Sequence, residues 1–215
     1  MRSRSVCLLA LFLFLASAAS AGPISYWFTV DTSSLPTSGY NSIGFIDFQF
    51  NPGSGSQLAY AKVRGFATDG TLAACGAGCI TGDVTPPGVT LPNDLTFTNT
   101  TVWNDYYQGI TFGNFISFML DLYGPALSAP NGSAGTTFAF SILDQSTPSN
   151  GLLTNDQVYG YAFTVDVDSS GNTTVTNNSD ETSINPEPAS LLLVGAPLLV
   201  LAAARRLRRG PANRA

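Results

Sequence analysis

Histidine is absent from the 215 residues and lysine is reduced to Lys62. Without an imidazole the chain has no Ser-His-Asp or Cys-His catalysis, no His-ligated zinc and no imidazole pH switch. Charge of either sign is scarce, at 11% of residues, where an ordinary soluble domain carries roughly 25%. Cysteine is limited to Cys7, Cys75 and Cys79, too few soft ligands for a thiolate metal centre. No cofactor is expected. With 44% hydrophobic residues, the low charge still does not mean disorder, because there is ample apolar material for one core.

The nine basic residues crowd the ends. Arg2 and Arg4 open the chain, and Arg205, Arg206, Arg208, Arg209 and Arg214 close it, which leaves two basic residues against thirteen acidic ones between residues 22 and 185, a net of −11. A body so acidic is repelled by phosphate backbones, so nucleic acid is excluded as a partner.

Arg2 and Arg4 precede an apolar run from Val6 to Ala16 and a small-residue stretch from Ser17 to Ala21. This is the layout of a secretory signal peptide over residues 1–21. Ala19 and Ala21 form the cleavage signal, and the Sec translocon is the implied partner. The alternative, an N-terminal membrane helix, needs about 20 apolar residues and the run is shorter. At the other end, residues 189–204 are uncharged and lead into Arg205, Arg206, Arg208 and Arg209. They predict a short transmembrane helix with a cytoplasmic tail at 210–215, since the Arg cluster stays inside. Sixteen helical residues span about 24 Å, short of the roughly 30 Å hydrocarbon core, so the anchor is weak.

Pro186-Glu187-Pro188 stands directly before that span. The order of triplet, apolar segment and Arg cluster over residues 186–209 resembles the PEP-CTERM sorting signal of Gram-negative bacteria. The resemblance implies that exosortase, a membrane protease, processes the tail near the triplet. The protein would be held transiently in the inner membrane and then pass to the cell surface or extracellular matrix. Two prolines keep the triplet out of helix and sheet, accessible to a protease. An ordinary single-pass anchor is the alternative.

Between the ends, apolar residues alternate at period two: Tyr26, Phe28 and Val30; Ile46, Phe48 and Phe50; Ile116, Phe118, Leu120 and Leu122; Phe138, Phe140 and Ile142; and Tyr159, Tyr161, Phe163, Val165 and Val167. Turn signals separate them, among them Asn51-Pro52-Gly53 and Asp168-Ser169-Ser170-Gly171-Asn172. Eight or nine short half-buried strands predict an all-β fold, a single antiparallel, jelly-roll-like β-sandwich over residues 22–176. The last apolar stretch and Thr173–Thr176 should form a hairpin. Residues 177–185 are nearly devoid of apolar side chains and predict a flexible linker. The segments Phe28–Leu35, Ile46–Gly53, Leu95–Thr100, Ile110–Gly113 and Phe163–Asn177 resemble a group of exported PEP-CTERM proteins to which no catalytic residues are assigned.

Four constellations could carry chemistry. Cys75 and Cys79, separated by Gly-Ala-Gly, predict a small-loop disulfide in an exported protein. Asp166, Asp168 and Asn172 have the oxygen character of a calcium loop but lack its closing Glu, and strand alternation explains the two Asp as a solvent face. The Asp residues are dispersed, without the facing pair a glycoside hydrolase needs. An enzyme is not expected. Trp103, Tyr106 and Tyr107, beside Asn104 and Asp105, are the candidate ligand-binding group, since flat rings and amides suit sugar faces; Trp103 as a core residue is the competing reading. The sequons at Asn99, Asn131, Asn172 and Asn177 mark surface turns. The sequence therefore predicts a non-enzymatic surface or matrix protein associated with exopolysaccharide and biofilm. A carbohydrate-binding module and a carboxylate-dependent secreted hydrolase are the alternatives.

Overall fold

Residues with branched or aromatic side chains at alternate positions favour extended backbone, because each then buries one face and wets the other. In the computed structural model, which describes residues 22–36, 42–75, 78–144 and 150–186, that alternation generates thirteen strands among the described residues. One sheet orders β13 (Thr182–Pro186), β1 (Ile24–Asp31), β9 (Phe115–Tyr123), β3 (Tyr60–Thr68), β7 (Leu95–Thr98) and β6 (Val84–Thr85). The other orders β12 (Thr173–Asn177), β11 (Phe163–Val167), β10 (Thr136–Asp144), β2 (Ile43–Pro52), β8 (Asp105–Thr111) and β4 (Thr71–Leu72), with β5 (Ile80–Thr81) also on β8. Every ladder is antiparallel. One helical turn, α1 (Pro125–Ser128), follows β9.

The two sheets share an aromatic core. Phe28 from the first sheet stacks on Phe163 from the second with ring centroids 4.0 Å apart and planes 4° from parallel. Phe48 meets Phe118 edge-on at 5.0 Å. These four rings are completely buried, as are Phe50, Phe97, Phe138 and Phe140. Each contributes roughly 1.5–3 kcal/mol relative to exposure. The antiparallel β-sandwich expected from alternation is thus present.

Local exceptions have local causes. β3 carries one extra residue between Arg64 and Ala67 relative to β9, and Gly65 accommodates it at φ +62°, a conformation that favours glycine in a bulge. The two basic residues of the body both lie on β3: Lys62 pairs with Asp94 at 2.8 Å and Arg64 with Asp121 at 2.5 Å.

Two boundaries differ from the sequence expectation. The strand expected from Tyr159 begins only at Phe163, because the Asp156 carboxylate gathers the N–H groups of Val158, Tyr159 and Tyr161 into a turn. Gly160 completes that turn at φ +74°. The predicted linker 177–185 is also corrected. Its second half is β13, paired with β1 from Val30↔Thr182 to Tyr26↔Pro186, so Pro186 of the triplet, expected outside any sheet, instead ends this edge strand. An edge strand needs few apolar side chains because backbone hydrogen bonds hold it, and here buried Thr182 and half-buried Ile184 suffice. The sandwich therefore extends to Pro186 rather than ending at 176. No helix among the described residues is long and apolar enough to cross a membrane. Residues 1–21 and 187–215, which carry Ala19, Ala21, Glu187, Pro188 and the Arg cluster, lie outside the described residues.

Candidate functional site

Strand alternation decides what the aromatic group around residue 103 can do. On β8, Tyr106, Gln108 and Ile110 point into the core, while Asp105 and Tyr107 take the opposite, outward face. Tyr106 is completely buried, and its hydroxyl accepts from the Leu91 N–H at 2.9 Å and donates to Gln108 Oε1 at 2.6 Å. It is a core residue. Trp103, the residue expected either at a surface site or in the core, is 65% exposed just ahead of β8. Pairing continues past the strand end, since Phe50 N–H donates to Asn104 O and Asn104 N–H to Asn51 Oδ1. Of the three predicted ligand-binding rings, the structure leaves Trp103 and half-buried Tyr107 on the outside and removes Tyr106.

The outward face of this sheet holds a second arrangement that the linear sequence does not display. The register sets Asp47 opposite Tyr107 and Gln49 opposite Asp105, so Asp47 and Asp105 are diagonal neighbours across β2 and β8. Although Asp47 faces away from the core, it is only 6% exposed. Its Oδ2 accepts from Gln49 Nε2 at 2.6 Å. Its Oδ1 and the Oδ1 of Asp105 are both buried with no conventional hydrogen-bond donor. Ionising both carboxyls at once would set two like charges on neighbouring strands with little water to screen them.

Electrostatics follow from that geometry. Burial, first, and then the negative charge of Asp105 hold the Asp47 carboxyl well above the usual carboxylate range. Burial also raises Asp105, while the hydrogen bond from Asp47 offsets part of the rise. Of the two, Asp47 is the carboxyl whose neutral form its surroundings favour more. Tyr107 is pushed up to about 12 by burial with the Asp47 and Asp105 charges adding, and Tyr161 is raised by burial and by Asp47. Both phenols thus remain neutral donors beside the pair. Tyr161 also donates to Gln49 Oε1 at 3.4 Å and stacks on exposed Tyr159 at 5.5 Å. Between these rings β10 contributes only Ala139 and Ser141, opposite Gln49 and Asp47. The floor is thus made of small residues, flanked by Tyr107 and Tyr161.

Glycoside hydrolysis needs two carboxyls about 5–9 Å apart with the scissile bond between them, whereas Asp47, at 6% exposure, has almost no surface to turn toward a substrate. The sequence signal that could have exposed the pair is the outward position of Asp47 in Ile46-Asp47-Phe48 and of Asp105 in Asn104-Asp105-Tyr106. Pairing β2 with β8 was the missing step.

The predicted disulfide has its partners in place: Cys75 and Cys79 stand at disulfide distance, with Cα atoms 5.8 Å apart. Its loop joins β4 to β5, and both flank β8. Ala73 N–H donates to Gly109 O and Tyr107 N–H to Cys79 O. The bridge therefore pins a broken edge strand directly beside Tyr107. Asp166 and Asp168 do not converge: Asp166 accepts from Thr137, and Asp168 caps the β11–β12 turn by accepting from the N–H groups of Ser170 and Asn172. Asn99 is buried with its amide fully used by Ala59, Gln57 and Thr136, so this sequon is a structural bracket and not a surface mark. Asn131, Asn172 and Asn177 are exposed. Comparison of the chain with models of known families, with curated proteins and with solved structures found no match in any of the three.

Proposed function

We propose that this chain is an exported, non-enzymatic protein of the cell surface or extracellular matrix of a Gram-negative bacterium, sorted by exosortase through a PEP-CTERM tail. The observation that carries the reading is the order of Pro186-Glu187-Pro188, the apolar segment 189–204 and the cluster Arg205, Arg206, Arg208 and Arg209. In this account the signal peptide at 1–21 engages the Sec translocon, and segment 189–204 holds the protein in the inner membrane until processing. The jelly-roll-like sandwich is then displayed toward exopolysaccharide in a biofilm. Two features support it. β13 ends on Pro186, so processing after the triplet spares every described strand. The Cys75–Cys79 bridge suits an oxidising compartment. Deletion of residues 187–215, which leaves β13 whole, is expected to abolish surface retention on cell fractionation; an unchanged distribution would defeat the proposal.

A second reading, a carbohydrate-binding module, is favoured by one specific observation: Trp103 is exposed ahead of the strand whose outward face presents Asp105 and Tyr107. Sugar rings would stack on Trp103 and Tyr107, with Tyr159 and Tyr161 extending the surface, and not on Tyr106. Loss of glycan-array signal in Trp103→Ala supports it.

A further inference from the structure

Glycans come in anionic, cationic and uncharged forms, and a surface selects among them by the charge it presents across the contact. The outward face of the second sheet presents rings. Phe45 and Tyr107 stack at 4.5 Å with planes 20° apart, and Tyr159 and Tyr161 stack at 5.5 Å and 13°. Phe45 and Gln49 are outward positions of β2 on either side of Asp47, and the Tyr161 hydroxyl reaches Gln49 at 3.4 Å, so the two ring pairs flank Asp47. Trp103 precedes Asp105 and Tyr107 at the same parity and, like Tyr159, is about two-thirds exposed.

Charge of either sign is withheld beside those rings. Lys62 and Arg64, the two basic residues between 22 and 185, both lie on β3 in the other sheet, where Asp94 and Asp121 pair with them. An anionic glycan therefore finds no cation from the body here and is repelled by its acidic balance. Carboxylates are turned away as well. Asp47 is almost completely enclosed, Asp105 has one oxygen buried, and Asp166 accepts from the Thr137 and Thr164 hydroxyls. A polycation would be drawn to the acidic body at large, an attraction that needs no ring and that salt screens. What the face offers is neutral: phenols, and Gln49 Oε1, which is met by long bonds from Asn51 Nδ2 at 3.2 Å and from Tyr161.

We propose that the outward face of the second sheet binds an uncharged glycan, an inference that rests on the carbohydrate-binding reading and narrows it to one chemical class. The C–H faces of its sugar rings stack on Trp103 and Tyr159, and its hydroxyls exchange hydrogen bonds with the phenols of Tyr107 and Tyr161 and with Gln49 Oε1. Tyr107, Tyr159 and Tyr161 are already held in stacked pairs, so binding orders few side chains. No ion pair forms, and affinity is therefore insensitive to salt.

A glycan array printed with uncharged, uronic-acid, sulfated and amino-bearing saccharides separates the classes. Full-length protein in mild detergent is expected to give signal on uncharged saccharides that persists when salt is raised. Trp103→Ala and Tyr159→Ala, both at exposed positions, are each expected to lower that signal at least tenfold, while Lys62→Gln on the other sheet leaves it unchanged. Far-UV circular dichroism confirms that the variants fold. Signal confined to acidic or amino-bearing saccharides overturns the assignment to uncharged glycans while the carbohydrate-binding reading survives. Signal on uncharged saccharides that both folded ring variants retain overturns the assignment to this face. Absence of signal on every class defeats the carbohydrate-binding reading, and the inference falls with it.

Discussion

Asp47 and Asp105 stand diagonally across β2 and β8 on the outward face of the sheet, where burial and the neighbouring Asp105 charge hold the Asp47 carboxyl well above the usual carboxylate range. Nothing in the separate strand sequences announces this. It comes from antiparallel register, which places residues 58 positions apart on one surface.

The pair makes stability fall as pH rises. A carboxyl whose pKa is raised by folding binds more protons in the folded state than in the unfolded chain. Its stabilisation is complete below the unfolded value of about 4 and is lost as pH climbs through the raised folded value. Asp31, Asp69 and Asp168, held low chiefly by hydrogen bonds from Ser33, Asn114 and Asn172, act in the opposite sense, losing stability as pH falls. They cancel when wild type is compared with Asp47→Asn, which keeps the shape and removes the titration. Urea denaturation is expected to show the variant gaining on the wild type as pH rises above about 4. A difference independent of pH would contradict the raised Asp47 carboxyl.

The three aromatic residues near position 105 should separate by experiment. Tyr106→Phe strands the Leu91 N–H and Gln108, and is expected to cost about 1–3 kcal/mol in denaturant unfolding. Trp103→Ala, at an exposed position, should change stability by less than about 0.5 kcal/mol. If the second reading holds, that same variant loses glycan binding.

Reduction of Cys75–Cys79 releases the broken edge strand beside β8. Closing so short a loop stabilises by about 2 kcal/mol on the chain-entropy account. The double variant Cys75→Ser, Cys79→Ser should unfold at correspondingly lower denaturant. Intact mass with and without reductant after alkylation checks the bond itself, and two alkylatable thiols in the unreduced protein would refute it.

Truncation distinguishes the edge strand from a linker. A chain stopped after Asn178 loses β13 and bares the backbone edge of β1, so a lower melting temperature and aggregation are expected. A chain stopped after Pro186 keeps the wild-type melting temperature. Equal behaviour of the two would restore the linker.

Much of the fold was legible because one-sided burial writes itself as period-two alternation. Tyr26, Phe28 and Val30, or Phe138, Phe140 and Ile142, read directly as strands facing a core. The pattern failed where another force set the backbone. Tyr159 and Tyr161 alternate correctly, yet the Asp156 carboxylate folds them into a turn. Thr182–Pro186 looks polar and linker-like, yet ladder hydrogen bonds that any sequence can make hold it on β1. At the candidate site, grouping residues by proximity in the chain joined Tyr106 to Trp103 and Tyr107, although adjacent strand residues face opposite ways. It also hid Asp47 from Asp105, because strand pairing is a long-range choice that alternation alone does not encode.

The mass of the protein as recovered from the cell surface tests the central claim most directly. The account predicts a chain that begins at Gly22 and ends close to Pro186-Glu187-Pro188, with segment 189–204 and the Arg cluster gone, in a host that carries exosortase. Surface protein that still contains Arg205, Arg206, Arg208 and Arg209 would contradict it.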